Sequence, residues 1–233
     1  MPEVTGRKPA ISNASRGRNA AGPEKRRGTG RTYRGRETRR RLLDAAKEVF
    51  ERDGFVHARI TDVCTTAGIS HGSFYTYFVT KEEIFTEVAD SIELDLLAIE
   101  PAPEDTDPVE RIRLANEHYL RAYGANAKIM SVIHQVSTID ADVRATRLQR
   151  QNAFAEVIER RIRRLQESGD ADPLVHPAYA AQALGGMVAH FADNLFNTDN
   201  DFDLETATEQ LTRIWVNALG MRYPGQGPAA TRN

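Results

Sequence analysis

The chain has 233 residues, of which 40% are hydrophobic, 27% charged and 7% aromatic, an ordinary globular composition with room for one small and one larger domain. A run of about 18 apolar residues, as a membrane-spanning helix needs, is missing, no apolar leader core opens the sequence, and the single cysteine, Cys64, excludes an intramolecular disulfide, so a reducing cytoplasmic location is expected. The net charge of -2 hides an asymmetry: residues 1–36 hold ten Lys or Arg against Glu3 and Glu24, a balance of +8, which leaves -10 for the remainder and marks one end for polyanions.

Residues 1–35 contain six glycines, three prolines and few large apolar side chains, so they are expected to form a disordered basic arm. Such an arm either follows phosphates or is an inert extension. Leu42, Ala46, Val49 and Phe50 then make an i, i+4, i+7, i+8 stripe, a supporting helix that Gly54 ends. Ile60, Val63 and Cys64 place one apolar face on a short helix closed by Gly68. Ser70 is positioned to cap a second helix from His71 to about Phe78, with His71, Ser73, Thr76 and Tyr77 outward and Phe74 and Phe78 inward. Two short helices joined by a tight glycine turn are a device for entering the major groove. Thr80-Lys81-Glu82-Glu83 reads as a capping box in which Glu83 reaches back to residue 80, opening a helix that runs to about Ile99.

Pro101, Pro103 and Pro108 break the chain after that helix. From Val109 onward the apolar spacing is helical throughout, punctuated by Gly124, Gly169, Pro173 and Pro177, and predicts about five more helices and no strand. The expected organisation is all-α: a basic arm over 1–35, a helix-turn-helix domain over 36–82, a helical effector-binding and dimerisation domain over 83–222, and a flexible tail over 223–233.

Between Arg39 and Phe85 the sequence resembles the DNA-binding domain of the TetR family of bacterial transcription regulators. The segments Arg39-Arg40-Arg41-Leu42-Leu43-Asp44-Ala45-Ala46, Gly54-Phe55, Asp62-Val63, Ala67-Gly68-Ile69-Ser70 and Gly72-Ser73, with Tyr75, Phe78 and Lys81, fall at the family's spacing without a gap. The resemblance implies that His71, Gly72, Ser73, Tyr75 and Thr76 meet base edges or thymine methyls, that Tyr77 and Lys81 hold phosphate, and that Thr61 enters the groove from the preceding helix. Ser70 and the basic residues Arg31, Arg34 and Arg36 complete the expected DNA-contacting set. Tyr75 has a rival reading as a partly buried anchor. Arg59 departs from the family pattern, standing where a capping Ser or Thr is usual; it can hold phosphate or pair with Asp62 but cannot accept an amide bond.

The resemblance also implies a small-molecule effector and a homodimer. Tyr119, Tyr123, Met130, His134, Phe154, Met187, His190 and Phe191 are the candidates for an effector pocket, each with an ordinary core role as its alternative. Leu184, Val188, Phe191 and Leu195 form one C-terminal stripe, and Leu211, Ile214, Trp215 and Ala218 belong to another; they suit either a two-fold four-helix bundle or the monomer core. Cys64 reads as core rather than redox sensor, His190 and Asp193 as a hydrogen-bonded pair or a solvated edge rather than metal ligands, and the charged run from Glu159 to Arg164 as a solvated helix face. No cofactor is expected and no catalytic constellation is present. The expected function is a repressor that leaves a palindromic double-stranded operator when an effector binds. The alternative is a helical dimerisation or scaffold module without sequence-specific DNA binding.

Overall fold

The computed structural model describes residues 33–98, 103 and 105–223. Residues 1–32 of the expected arm, Arg31 among them, and nearly all of the expected tail lie outside the described residues; residues 33–35, expected in the disordered arm, instead open the first helix. Among the described residues there are nine helices and no strand: α1 (Tyr33–His57), α2 (Ile60–Ala67), α3 (His71–Phe74), α4 (Lys81–Leu97), α5 (Pro108–Ala125), α6 (Ala127–Ile139), α7 (Ala141–Glu167), α8 (Pro177–Asn197) and α9 (Leu204–Ala218). None of them is long and apolar enough to cross a membrane.

Local chemistry sets the helix ends. Gly54, at φ 70° and ψ 165°, interrupts α1 where the apolar stripe stops. Thr80 accepts the Glu83 amide at 3.1 Å, while the Glu83 carboxylate takes the amide of Val79, one residue earlier than a standard capping box would place it. Asp107, Asp140 and Asp203 accept first-turn amides and so start α5, α7 and α9. The second helix of the turn motif is shorter than its apolar spacing predicts. α3 is one turn, and beyond it the amides of Thr76, Tyr77 and Phe78 bond back to Ser73 and Phe74 at 2.9–3.1 Å as tight turns.

The N-terminal head packs α1 against α2 and α4, with α3 laid on α2. Leu42, Val49, Phe50, Val63, Phe74, Phe78, Ile84 and Phe85 are at most 1% exposed, each contributing about 1.5–3 kcal/mol by leaving water. Phe50 and Phe85 meet edge to face at 5.1 Å. Two ties cross this core: Arg39 pairs with Glu87 and lies over the Phe78 ring. The body pairs α7 with α8 and α5 with α9, and α4 runs from the head into it. Across α5 and α9 the buried Asn116 amide donates to the Thr212 hydroxyl at 3.2 Å.

The two C-terminal stripes mostly belong to this body. Leu184, Val188, Leu211 and Trp215 are only 7, 5, 2 and 9% exposed within one copy, because α8 turns its stripe to α7 and α9 turns its own to α5. Their assignment to a subunit interface is therefore corrected: their apolar surface is already covered in the monomer. Phe191 and Leu195 are half-buried against the same core, while Ile214 and Ala218 stay exposed.

Candidate nucleic-acid interface and internal cavity

The turn between α2 and α3 is fixed from several sides. Gly68 takes the left-handed conformation at φ 63°, ψ 41°, its amide bonds Thr65 O at 3.1 Å, and the Ile69 amide bonds Cys64 O at 3.0 Å. A side chain there would be strained by the backbone and would press on the Arg41 guanidinium, 3.1 Å from an ideal Cβ. That guanidinium in turn donates to Ala67 O, so the carbonyl end of α2 is held from α1. Ser70 Oγ accepts the Ser73 amide at 3.2 Å and shares a hydrogen bond with Ser73 Oγ at 2.7 Å. Both serine hydroxyls are thus engaged in starting α3.

What α3 presents follows from this anchoring. Phe74 and Phe78 are sealed in the core, while His71, Gly72, Tyr75 and Thr76 are exposed. Tyr75 is 49% exposed, with its ring edge-on to His71 at 5.2 Å and to Phe74 at 5.4 Å, so it is no buried anchor. Tyr77 is half-buried and packs on the core instead of standing in solvent. Gly72 has a helical neighbourhood, and a Cβ built on it meets nothing within 4 Å. The fold itself does not require glycine there.

Thr61 is exposed on the first turn of α2, its carbonyl accepting the Thr65 hydroxyl at 2.9 Å. Arg59 precedes it with no side-chain cap, and no ion pair with Asp62 forms among the described residues. Arg59 is exposed, and it caps α2 only through its carbonyl, which receives the Asp62 amide at 3.0 Å and the Val63 amide at 3.2 Å, because a guanidinium cannot accept an amide bond. Arg34 and Arg36 are exposed on the first turn of α1. Arg34 lines an open groove with Thr38, Ser70, Ser73, Thr76 and Tyr77, which places a cation beside the reading face.

Lys81, expected on phosphate, is committed elsewhere. Its ammonium donates to Phe55 O at 2.7 Å, Ala58 O at 3.2 Å and Val56 O at 3.4 Å and sits 4.5 Å from the Phe55 ring centroid. The carbonyl-rich end of α1 draws the cation inward. Cys64 is 3% exposed, and burial raises its thiol above the ordinary value, which fits a core role.

Inside the body, α4 to α8 line a partly open cavity of about 360 Å³. Six of the eight pocket candidates line it: Tyr119, Tyr123, Met130, His134, Phe154 and His190. Met187 and Phe191 do not; Phe191 packs on Phe202 at 5.6 Å. The charged lining was not foreseen. Arg150 on α7 bonds Glu93 at 2.5 Å and also Asp90, both on α4, and Arg147 approaches His134 Nε2 at 2.6 Å. A signal for Glu93 exists in the sequence: it falls in register with the buried series Ile84, Val88, Ala89, Ile92 and Leu96, a carboxylate at a core position.

Electrostatics in the cavity follow from burial. Tyr119 is pushed up to about 12 by desolvation, and Tyr123 is raised by desolvation and by its bond to Asp193 at 2.8 Å. Burial, then the Arg147 charge, lower His134, which keeps its ring neutral near pH 7. Burial raises Glu93 despite Arg150 and Arg147. Burial works against the Asp193 charge as well, but hydrogen bonds from Asn197 and Tyr123 outweigh it and hold this carboxyl below its usual range. Among the described residues no group of three His, Cys, Asp or Glu is placed to hold a metal ion. His190 instead meets Asn194 at 3.3 Å. In the charged run of α7, Glu159 pairs with Arg163 one turn on, as a solvated helix face does.

Two family descriptions match this chain: "Bacterial regulatory proteins, tetR family" over residues 42–88, and "Tetracyclin repressor-like, C-terminal domain" over residues 105–193. The chain is 28% identical over 180 residues to the HTH-type transcriptional regulator YdgC of Bacillus subtilis, covering 71% of this chain and 84% of that one. It is 24% identical over 156 residues to the HTH-type transcriptional regulator UidR of Escherichia coli K12, covering 63% of this chain and 76% of UidR. In fold it is similar to Salmonella enterica GusR, with a TM-score of 0.67 at 18% identity, covering 82% of this chain and all of the other. With the capped turn, the outward-facing α3 and both family matches in agreement, the chain belongs to the TetR family of bacterial regulatory proteins, DNA-binding transcriptional regulators rather than enzymes.

Proposed function

We propose that this regulator represses transcription from a palindromic operator and is released when a small molecule fills the cavity among α4 to α8. The observation that carries this reading is the division of labour in α3, which sinks Phe74 and Phe78 into the core and leaves His71, Gly72, Tyr75 and Thr76 outward. Those four take the base edges and thymine methyls, with Gly72 allowing the backbone close approach. Thr61, Ser70, Ser73 and Tyr77 flank them, Arg59 and Arg34 supply cations for phosphate, and Arg36 and Arg31 extend the basic side. The reading unit spans residues 36–82 and the effector and dimer unit 83–222.

Two copies are needed for two half-sites. The surface for this contact is what the monomer leaves open on the last two helices, where Ala183, Gly186, Ile214 and Ala218 are exposed. Gly186 has no neighbour for a Cβ within 4 Å, whereas one on the adjacent Gly185 would sit 3.2 Å from Ile158, so Gly185 faces α7 more closely and Gly186 is the more open of the two.

Transmission follows α4. Its first turn carries Lys81, clamped to the end of α1, and its next turns carry Glu87, paired with Arg39 of α1. Farther on, Glu93 and Leu96 line the cavity. A ligand that binds one placement of α4 better than another shifts the populations of two head spacings, by no more than its difference in affinity for them. Selection of bound duplexes from a random pool tests the reading. The expected product is a two-fold symmetric site bound by two copies; a preference for single asymmetric half-sites, or no preference at all, contradicts it.

A further inference from the structure

The carboxylates that reach the cavity are already supplied with donors. Glu93 is held by Arg150, which also bonds Asp90, and Asp193 accepts from the Tyr123 hydroxyl and the Asn197 amide, each at 2.8 Å. Arg147 differs. Its two hydrogen-bond partners among the described residues are neutral acceptors, His134 Nε2 at 2.6 Å and Ser137 Oγ at 3.4 Å, and no carboxylate lies within ion-pair distance of it there. His134, kept neutral, stands between Arg147 and Asp193, its Nδ1 3.7 Å from the Asp193 carboxylate. A half-buried guanidinium thus opens onto the cavity with no carboxylate bonded to it, the nearby Glu93 being bonded to Arg150. Beside it, the Tyr119 hydroxyl has no hydrogen-bond partner among the described residues, and the lining also carries apolar side chains: Leu96, Met130, Phe154 and Ile158.

On the reading of this cavity as the effector site, we propose that it takes a compact apolar monocarboxylate, its carboxylate in the planar fork of Arg147 with the Tyr119 hydroxyl as a further donor. The apolar body lies against Leu96, Met130, Phe154 and Ile158. The guanidinium fork matches a carboxylate in two parallel hydrogen bonds, and the ligand supplies a negative charge bonded directly to Arg147. The volume of about 360 Å³ is near the small end for ligand sites, so the body is short. An amine of the same shape brings a like charge to the Arg147 fork, where it cannot accept a hydrogen bond, and binds less well there.

The test titrates the full-length protein calorimetrically with 4-phenylbutyrate and with octanoate, and with the primary amide and the amine of each. The expected result is that at least one carboxylate binds about tenfold or more tighter than its amide, from charge-assisted hydrogen bonds, with the amines weakest. Arg147→Met brings that carboxylate to the level of its amide, and Arg147→Lys keeps part of the preference; the Lys variant also covers the case in which the Met variant does not fold. The proposal is overturned if neither carboxylate binds, if an amide or amine binds as well, or if the preference survives Arg147→Met. Release of a selected duplex is followed in parallel. Carboxylate binding without release supports the headgroup assignment and refutes the cavity as the regulatory site, whereas release by the amines alone overturns the assignment and leaves that regulatory reading standing.

Discussion

Lys81→Met separates a structural lysine from a phosphate-gripping one. In the structure the ammonium gives its bonds to Phe55 O, Ala58 O and Val56 O at 2.7, 3.2 and 3.4 Å and rests on the Phe55 ring. One short charge-assisted bond is worth about 1.5–3 kcal/mol, and a cation over an accessible ring adds about 0.5–1 kcal/mol. Val56 is 67% exposed, so water replaces part of what is lost, and the expected net destabilisation is about 2 kcal/mol. Urea unfolding at fixed protein concentration reads this as a lowered midpoint with an unchanged slope. Operator binding against salt supplies the second arm. A lysine that clamps the head leaves the slope of log K on log salt unchanged, whereas loss of one phosphate contact from each of two copies makes it shallower by about 1.8. Unchanged stability with a shallower salt dependence would refute the clamp.

Gly72→Ala is expected to leave thermal stability undiminished, since its Cβ meets nothing, yet to weaken operator binding by about 1–3 kcal/mol through lost approach to the base edges; full retention of affinity in anisotropy titrations counts against that role. Arg150→Met strips the donor from Glu93, which is 8% exposed, and should cost about 3 kcal/mol in urea unfolding, with partial recovery on adding Glu93→Gln. An undisturbed midpoint would show that the ion pair contributes nothing. For His134 the folded-state value is lowered beneath the ordinary 6.5, so the folded chain binds fewer protons on this ring than the unfolded chain. The stability difference between wild type and His134→Gln should therefore shrink as pH falls below about 6.5 and level off once pH has dropped past the folded-state value; parallel stability curves for the two proteins would contradict this.

The turn motif was legible because its signals are local. Gly68 and Ser70 need only their own backbone neighbours to declare a C-cap and an N-cap, and Phe74 and Phe78 declare an inward face by spacing. Lys81 was misplaced because its partners, Phe55 to Ala58, stand more than 20 positions away in sequence and are carbonyls, which every residue carries. Six aromatic, Met and His candidates gather at the cavity because ligand-type side chains on helices of one bundle tend to converge, but periodicity does not say which turn faces which partner. Arg147 and Arg150 were hidden for that reason: on α7 they look like solvent-facing charges, and only the position of α4 and α6 turns them inward. The C-terminal stripes show the same limit. An apolar stripe states that something covers it, and here the cover for Leu184, Val188, Leu211 and Trp215 is the same chain.

The central claim, that the outward residues of α3 read bases, is tested most directly by repeating the random-duplex selection with His71→Ala and with Thr76→Ala. The account predicts that each variant still selects a two-fold symmetric site and loses preference at one symmetric pair of positions, different for the two variants, by about 1–3 kcal/mol per base pair. Recovery of the wild-type sequence preference by both variants would contradict it.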